Sequence, residues 1–199
     1  MKRIHLLICA ITAFYLMFVI TREAVALEPS PLSPLPDVMF ATGGFGAGTQ
    51  SDFSGASFYG GFTFSLRGDK IMTVRGVYMT EVNFLVGLGA ARPLLSSWDL
   101  GVLYGIRTHN RGVFLGTASV GLAMVSQTRR GKYLYSESGW FADSYYEEKN
   151  STTVGIPFEL QAILTPTSET GLGLTVFADV NPKSSFCGAT LSLYFGQLR

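Results

Sequence analysis

The chain has 199 residues, a formal net charge of +1 and 15% charged residues, against 47% hydrophobic and 13% aromatic ones. This length is typical of a single domain, and the near-neutral charge argues against a nucleic-acid-binding protein. High hydrophobicity with low charge excludes disorder for most of the chain, and two cysteines exclude a disulfide-rich scaffold.

Residues 1–26 have the pattern of a secretory signal peptide. Basic residues near the N-terminus precede an uncharged apolar run from 6 to 20, and Ala24-Val25-Ala26 forms an A-x-A cleavage site. The run is shorter than the roughly 20 residues that a membrane-spanning helix needs, so we favour cleavage after Ala26 over an uncleaved anchor. The segment that follows, 27–37, is rich in proline and predicts an extended periplasmic tether.

The remaining residues, 38–199, alternate with a period of two, which indicates β-strands. One face of each segment carries mainly Leu, Phe, Val and Ile, and the other carries Gly, Ser, Thr and single charges. A soluble sandwich would need a more highly charged outer face. Eight segments of the length that crosses a membrane, about 9–11 residues, predict an all-β fold, an eight-stranded antiparallel up-and-down transmembrane β-barrel. The predicted strands are 38–48, 57–67, 71–82, 98–108, 113–126, 152–164, 171–181 and 187–196.

The links between these segments alternate in length through most of the chain. Membrane barrels have short periplasmic turns and longer external loops, so we assign the short links to the periplasm and the long ones to the outside. The short links are 68–70, 109–112 and 165–169; the longer ones are 49–56, 83–97 and 127–150, with a modest link at 182–186.

Three pieces of the sequence carry a family resemblance: residues 98–105, residues 117–122 and the terminal residues 191–199. On these, the chain resembles the small outer-membrane β-barrel proteins of Gram-negative bacteria, of the eight-stranded OmpA/OmpX-like architecture, and is most similar to uncharacterised Bacteroidota-type barrels. The resemblance implies an outer-membrane location. It also implies contact with outer-membrane lipid, lipopolysaccharide and the outer-membrane assembly machinery, and it supplies no activity.

Seven charged residues fall on the face that would line the lumen. An eight-stranded barrel is just wide enough for side chains to fill, so these charges should pair and form a polar plug. We predict a link between Arg75 and Glu159 across the lumen, and a gated pore is the alternative. The seven are Arg67 and Arg107 toward the periplasm, Arg75 and Glu159 near the middle, and Glu81, Asp99 and Asp179 toward the outside.

The link 127–150 is the most charged and most aromatic one, and it is the main candidate binding surface. Arg129, Arg130 and Lys132 could meet lipopolysaccharide phosphates. Aromatic rings in the same loop could stack on a ligand. We favour the structural interpretation, in which the fifth and sixth predicted strands extend beyond the membrane as a protruding hairpin with its tyrosines at the membrane interface. The aromatic residues are Tyr133, Tyr135, Trp140, Phe141, Tyr145 and Tyr146.

Nothing in the pattern indicates catalysis, a metal site or a cofactor. After residue 26 one histidine remains, His109, in a predicted periplasmic turn, and Cys187 falls on the apolar stripe. We therefore predict a non-enzymatic outer-membrane barrel that is structural or binds through its loops, with no requirement for an oligomer. The alternative is a soluble periplasmic, lipocalin-like barrel with its apolar stripes facing inward around an apolar ligand.

Overall fold

The computed structural model describes residues 38–66, 68–82, 91–108, 113–137, 139 and 142–198. The predicted signal peptide and tether lie outside the described residues, as do Arg67, His109, Trp140 and Phe141. The strands are β1 (Met39–Gln50), β2 (Ser54–Ser65), β3 (Lys70–Glu81), β4 (Ala91–Arg92), β5 (Ser96–Arg107), β6 (Phe114–Ser136), β7 (Ser144–Leu164), β8 (Thr170–Val180) and β9 (Phe186–Gln197).

All the strands belong to one sheet that closes on itself. Each long strand pairs antiparallel with its neighbours in chain order, and β1 pairs with β9 to complete the ring. The two-residue β4 is an addition to the wall and pairs parallel with β7 at Ser144 and Tyr145. The prediction of an all-β, eight-stranded, antiparallel up-and-down barrel is confirmed. Within the described part of the chain, no helix has the length and apolar character needed to cross a membrane.

The two ends of the barrel differ. One end, here called the turn end, holds residues 38 and 198, the link 165–169 and the strand ends at Ser65, Lys70, Arg107 and Phe114. The other, the hairpin end, holds the links 51–53 and 181–185, the segment 91–95 and the strand ends at Ser136 and Ser144.

Two predicted long links at the hairpin end are shorter in the structure. The link predicted at 49–56 is a turn of 51–53 between β1 and β2. Most of 127–150 is strand, because β6 continues to Ser136 and β7 begins at Ser144, as the favoured interpretation of an extended hairpin requires. The polar pair Thr128 and Asn150 shows why, since their side chains hydrogen-bond at 2.8 Å and the ladder continues past the apolar segment.

The apolar stripes face outward on every long strand. Leu191 is 70% exposed and Leu122 is 66% exposed, whereas their inward neighbours Ser192 and Ala123 are buried. Cys187 lies on the outward stripe as predicted, half-buried. The lipocalin-like alternative requires these stripes to face inward, so its arrangement of faces is wrong.

The lumen is filled in three layers. An apolar cluster that includes Phe40, Leu115 and Ile163 fills the turn end. A second one, including Met79 and Phe177, fills the hairpin end. Buried polar and charged side chains lie between them. The prediction of a polar lumen is therefore correct for the middle layer and wrong for the ends, where large apolar side chains point inward.

Candidate functional site: the lumen network and the hairpin surface

Arg75, on β3, lies at the centre of the polar layer with its side chain 0% exposed. Its Nη2 donates a hydrogen bond to Asp99 Oδ2 on β5 at 2.8 Å, and its Nη1 lies 3.5 Å from Glu159 Oε2 on β7. The same guanidinium donates to the carbonyl oxygens of Phe158 at 3.1 Å and Ala178 at 3.3 Å. One side chain therefore connects four strands of the wall across the lumen.

Glu159 extends this network to two further strands. Tyr59 Oη, on β2, donates to Glu159 Oε2 at 2.8 Å, and Gln161 Nε2 donates to Glu159 Oε1 at 2.9 Å. Gln161 Oε1 in turn accepts a hydrogen bond from Thr117 Oγ1 on β6 at 3.2 Å. The sequence interpretation did not single out Tyr59, Gln161 or Thr117. The signal that could have found them is their position on the Gly/Ser/Thr face, where any polar side chain must find a partner inside.

Asp179 adds another buried carboxyl group to this layer. Its Oδ1 accepts a hydrogen bond from Asn181 Nδ2 at 2.8 Å. Its carboxyl group lies against Gly155, where a Cβ would stand 2.2 Å from Oδ1. Among the described residues, the layer thus holds the guanidinium of Arg75 with three carboxyl groups, those of Asp99, Glu159 and Asp179.

The predicted link between Arg75 and Glu159 is present, but Asp99 is the closer partner of Arg75. Asp99 was expected farther toward the outside than Arg75, and its pairing with Arg75 was not predicted. Asp99 faces Val77 in the strand register, one inward position above Arg75, and the long arginine side chain reaches it.

Glu81 lies apart from the central network, at the hairpin end. It pairs with Arg130 and accepts a hydrogen bond from the Leu95 N–H at 3.4 Å. Arg130 also donates to the carbonyl oxygens of Pro93 at 3.0 Å and Ala91 at 2.9 Å. A residue predicted for the lumen and one predicted for the loop surface therefore meet, and together they hold the segment 91–95 against the barrel mouth.

Arg129 and Arg107 also make contacts within the fold. Arg129 Nη2 donates to Gln127 Oε1 at 3.0 Å and to the Lys183 carbonyl oxygen at 3.2 Å, and its Nε lies 3.5 Å from Asp52 Oδ2. It thereby joins β6 to two other links of the hairpin end. Arg107 is half-buried at the turn end of β5, where its backbone N–H donates to the Asp69 carbonyl oxygen at 2.8 Å.

Four predicted aromatic residues meet as two cross-strand pairs on the protruding hairpin. Tyr135 and Tyr145 stack with ring centroids 4.7 Å apart, and Tyr133 meets Tyr146 edge-on at 5.5 Å. Tyr145 Oη donates to Glu137 Oε1 at 3.1 Å, and this hydrogen bond raises the pKa of the Tyr145 phenol. The register of β6 against β7 shifts between Arg130 and Tyr133 and again between Tyr133 and Tyr135. Sequence alternation does not reveal these shifts.

Across the described ranges, no three His, Cys, Asp or Glu side chains are grouped so that they could hold a metal ion. The arrangement offers two distinct features instead. One is a sealed polar layer inside the wall, and the other is an exposed aromatic and charged surface on the hairpin.

This architecture is the fold of the small eight-stranded outer-membrane β-barrels. The chain is similar to Neisserial surface protein A, with a TM-score of 0.57 and 8% identity over 79% of this chain and 95% of that one. It is also similar to the attachment invasion locus protein Ail of Yersinia pestis, with a TM-score of 0.52 and 8% identity over 79% and 96% of the two chains. The N-terminal β-barrel domain of Pseudomonas aeruginosa OprF gives a TM-score of 0.52 and 12% identity over 79% and 96%.

No protein-family model matches the sequence, and no curated protein matches it. At the identities found, the likeness to the solved structures is one of fold.

Proposed function

We propose that this chain is a non-enzymatic integral outer-membrane β-barrel with a closed lumen, and that it binds lipopolysaccharide through its hairpin end. The observation that carries the proposal is the outward apolar belt on all eight wall strands combined with polar side chains enclosed inside. The resemblance to Bacteroidota-type barrels stays a prediction of the sequence.

The belt supports insertion into a membrane. The shorter wall strands have 11 or 12 residues, close to the roughly 9–11 that a tilted membrane strand needs. Their outward side chains are exposed Leu, Val, Ile, Phe and Met. An apolar surface that encircles a protein is unfavourable in water and favourable against lipid.

The filled lumen supports the absence of a conducting path or an active site. Arg75, Glu159 and Asp99 have buried side chains, and an apolar cluster lies on either side of them. A substrate or hydrated ion would have to displace one of these clusters to reach the charged groups. The lumen network therefore acts as a structural plug.

The hairpin surface supports a binding role. Arg129 and Arg130 are engaged within the fold, so Lys132 is the predicted cationic contact that remains for a lipopolysaccharide phosphate, and the two tyrosine pairs offer rings for stacking on sugars. The similar barrel Ail has been solved in complex with the heparin analogue sucrose octasulfate, and that ligand combines sugar with anionic groups as lipopolysaccharide does.

Membrane insertion is tested by expressing the full chain in a Gram-negative host and running the outer-membrane fraction on SDS gels with and without boiling. We expect a band in that fraction that shifts on heating. A matched pair of variants sharpens the test: Leu191→Arg places a charge on the belt, and Leu134→Arg places one on the hairpin, where the leucine is 58% exposed. We expect Leu191→Arg to reduce the heat-shifted band and Leu134→Arg to leave it unchanged, because a cation at the bilayer midplane of a barrel costs about 2–4 kcal/mol. A soluble protein that tolerates both variants equally would refute the proposal.

Hairpin binding is tested separately by titrating purified lipopolysaccharide into the detergent-folded protein. We expect a combined Lys132→Gln and Tyr135→Ala variant to bind at least about tenfold more weakly, with Lys70→Gln at the turn end as the charge-matched control. Equal affinity of the two variants would remove the hairpin from the proposal and leave the membrane barrel intact.

A further inference from the structure

The enclosed polar layer carries more negative than positive groups. Among the residues that the structure describes, Arg75 is the only buried cationic side chain, whereas Asp99, Glu159 and Asp179 are all buried carboxyl groups. With every carboxyl group ionised, three negative charges stand against one positive charge, a net charge of −2. Charge without compensation is strongly unfavourable inside a protein, so the layer requires a further positive species.

Glu159 does not need that species, because both of its carboxyl oxygens have partners. Its Oε2 accepts a hydrogen bond from Tyr59 Oη at 2.8 Å and lies 3.5 Å from Arg75 Nη1. Its Oε1 accepts a hydrogen bond from Gln161 Nε2 at 2.9 Å. The groups that lack compensation are therefore to be sought at the other two carboxyl groups of the layer.

Asp99 and Asp179 each keep one carboxyl oxygen without a partner. Asp99 Oδ2 contacts Arg75, and Asp179 Oδ1 accepts a hydrogen bond from Asn181 Nδ2 at 2.8 Å. Asp99 Oδ1 and Asp179 Oδ2 have no hydrogen-bond partner, although the two residues are only 2% and 0% exposed. Buried polar atoms almost always have a partner, so these two free oxygens indicate a ligand that contacts both carboxyl groups.

The two carboxyl groups meet in the same part of the lumen. Arg75 Nη2 lies 2.8 Å from Asp99 Oδ2 and 3.3 Å from the carbonyl oxygen of Ala178, the residue that precedes Asp179. The carboxyl group of Asp179 lies over Gly155, where a Cβ would stand 2.2 Å and 2.3 Å from its two oxygens. Glycine at this inward position therefore leaves the space that the carboxyl group occupies.

We propose that the enclosed layer binds one divalent cation with oxygen ligands, Ca²⁺ or Mg²⁺, between the free oxygens of Asp99 and Asp179. One such ion balances the net charge of the layer, whereas a proton neutralises one carboxyl group at a time. Carboxylate and other oxygen ligands are the ones that these hard cations prefer. The inference goes beyond the proposed function and depends on the filled lumen alone.

Further oxygen atoms are available to complete the coordination. Ser97 lies on the same inward face of β5 as Asp99, and its buried Oγ also has no hydrogen-bond partner. The proposed site uses two carboxyl groups, which agrees with the lack of any three-residue metal cluster in the described part of the chain. Ca²⁺ accepts irregular sets of six to eight oxygen ligands, whereas Mg²⁺ demands a near-ideal octahedron, so this asymmetric site favours Ca²⁺.

The enclosure of the layer predicts slow exchange of the ion. One apolar cluster lies on the hairpin side of the layer and another lies on the turn side. An ion captured during folding leaves only if one of these clusters is displaced. A chelator should therefore remove cations from the surface of the folded barrel and leave the enclosed one in place.

Metal content after folding tests the proposal. The full chain is refolded from urea into detergent with CaCl₂ and MgCl₂, desalted into EDTA, and analysed by plasma mass spectrometry. We expect the heat-shifted protein to retain about one divalent cation per barrel. Asp99→Asn and Asp179→Asn keep the shape of the side chain and remove its charge, and each should reduce the retained metal at least about tenfold. Asp52→Asn, which changes an exposed carboxyl group at the hairpin end, is the matched control and should retain the ion.

A second measurement needs only the unchanged chain, so it remains decisive where the aspartate variants do not fold. The protein is refolded once with the divalent cations and once in EDTA, and its unfolding rate in denaturant is compared. We expect unfolding to be at least about tenfold slower after refolding with the cations, because an ion bound only by the folded state stabilises that state.

The outcomes separate the possible failures. Heat-shifted protein that retains no divalent cation and unfolds at the same rate after both treatments overturns the proposal. An infrared band of protonated carboxyl groups in that protein, lost in Asp179→Asn, would identify protons as the compensating charge. Equal metal content in Asp52→Asn and Asp179→Asn would assign the ion to the surface and also overturn it. A folded barrel that retains the ion and does not enter membranes overturns the proposed function and leaves the cation site intact.

Discussion

Arg75 Nη2 lies 2.8 Å from Asp99 Oδ2, and both side chains are fully enclosed in the lumen. The attraction within a buried ion pair is largely offset by the free-energy cost of removing both charges from water. The pair therefore affects stability most when one partner is lost, because the other charge then stays enclosed without compensation. Glu159, 3.5 Å from the same guanidinium, shares this dependence.

The first prediction is that Arg75→Gln lowers the free energy of unfolding by about 3–5 kcal/mol, the usual cost of breaking a buried ion pair from one side. Denaturant titration of the folded protein, followed by the heat-shifted band, measures it. A triple variant with Arg75→Met, Asp99→Asn and Glu159→Gln should recover most of the loss, since the two carboxyl groups that Arg75 contacted are then neutral. The exposed Lys70→Gln serves as the control, and an Arg75→Gln midpoint equal to that of Lys70→Gln would contradict the prediction.

The second prediction distinguishes the plug from a gated pore. We expect the Glu159→Ala barrel to conduct no better than the wild type in planar bilayers, because the two apolar clusters still close the lumen on either side. Single-channel recording at matched insertion levels gives the comparison, with Gln161→Ala, a neutral change in the same layer, as the control. A stepwise conductance in Glu159→Ala that is absent from the wild type and from Gln161→Ala would support the gated pore.

The strand count, the face assignment and the positions of four charged lumen residues followed from alternation alone. The reason is that each strand has two chemically different environments, and a period of two assigns every residue to one of them. Arg75, Asp99, Glu159 and Asp179 all lie inside for that reason.

Alternation could not predict which side chains of distant strands would pair. The Arg75–Asp99 pair depends on a long side chain crossing the lumen, and the Glu81–Arg130 pair joins β3 to β6 over the mouth. The inward apolar clusters were missed because residues such as Ile163 and Phe177 looked like interruptions of a polar face. The space inside a narrow barrel explains them, since it must be filled at every level.

The third prediction concerns the contacts of Arg130. We expect Arg130→Gln to accelerate amide hydrogen exchange in the segment 91–95 by at least about tenfold, because hydrogen bonds to charged groups contribute about 1.5–3 kcal/mol each. Arg129→Gln is the matched control, because Arg129 contacts the Lys183 carbonyl oxygen instead, and it should affect 181–185 and not 91–95. Equal protection of 91–95 in both variants would show that Arg130 does not hold the segment.

The fourth prediction is a pH effect on the hairpin. The hydrogen bond to the Glu137 carboxylate raises the pKa of Tyr145, and the phenol donates this bond only while it is protonated. The contact is therefore present below the ordinary tyrosine pKa of about 10 and is lost as the pH rises through the raised value. NMR titration of the Tyr145 ring carbons should show Tyr145 titrating above the ordinary tyrosine pKa of about 10. Glu137→Gln should lower the Tyr145 pKa toward the ordinary value, and an unchanged titration in that variant would contradict the assignment.

The fifth prediction compares two glycines whose surroundings differ. At Gly121 a Cβ would stand 2.0 Å from the Val102 carbonyl oxygen, which belongs to the neighbouring strand. At Gly60 a Cβ would meet nothing within 4 Å. We expect Gly121→Ala to reduce the heat-shifted fraction strongly, because relief of the clash requires the two strands to separate. Gly60→Ala should fold as well as the wild type or better, since alanine reduces the entropy lost on folding by about 0.4–1 kcal/mol where the backbone allows it. Folding yields in detergent, measured on gels at matched protein concentration, decide between them. Equal yields would mean that the wall can adjust to a Cβ at Gly121. The close approach of the neighbouring strand would then not require glycine at this inward position.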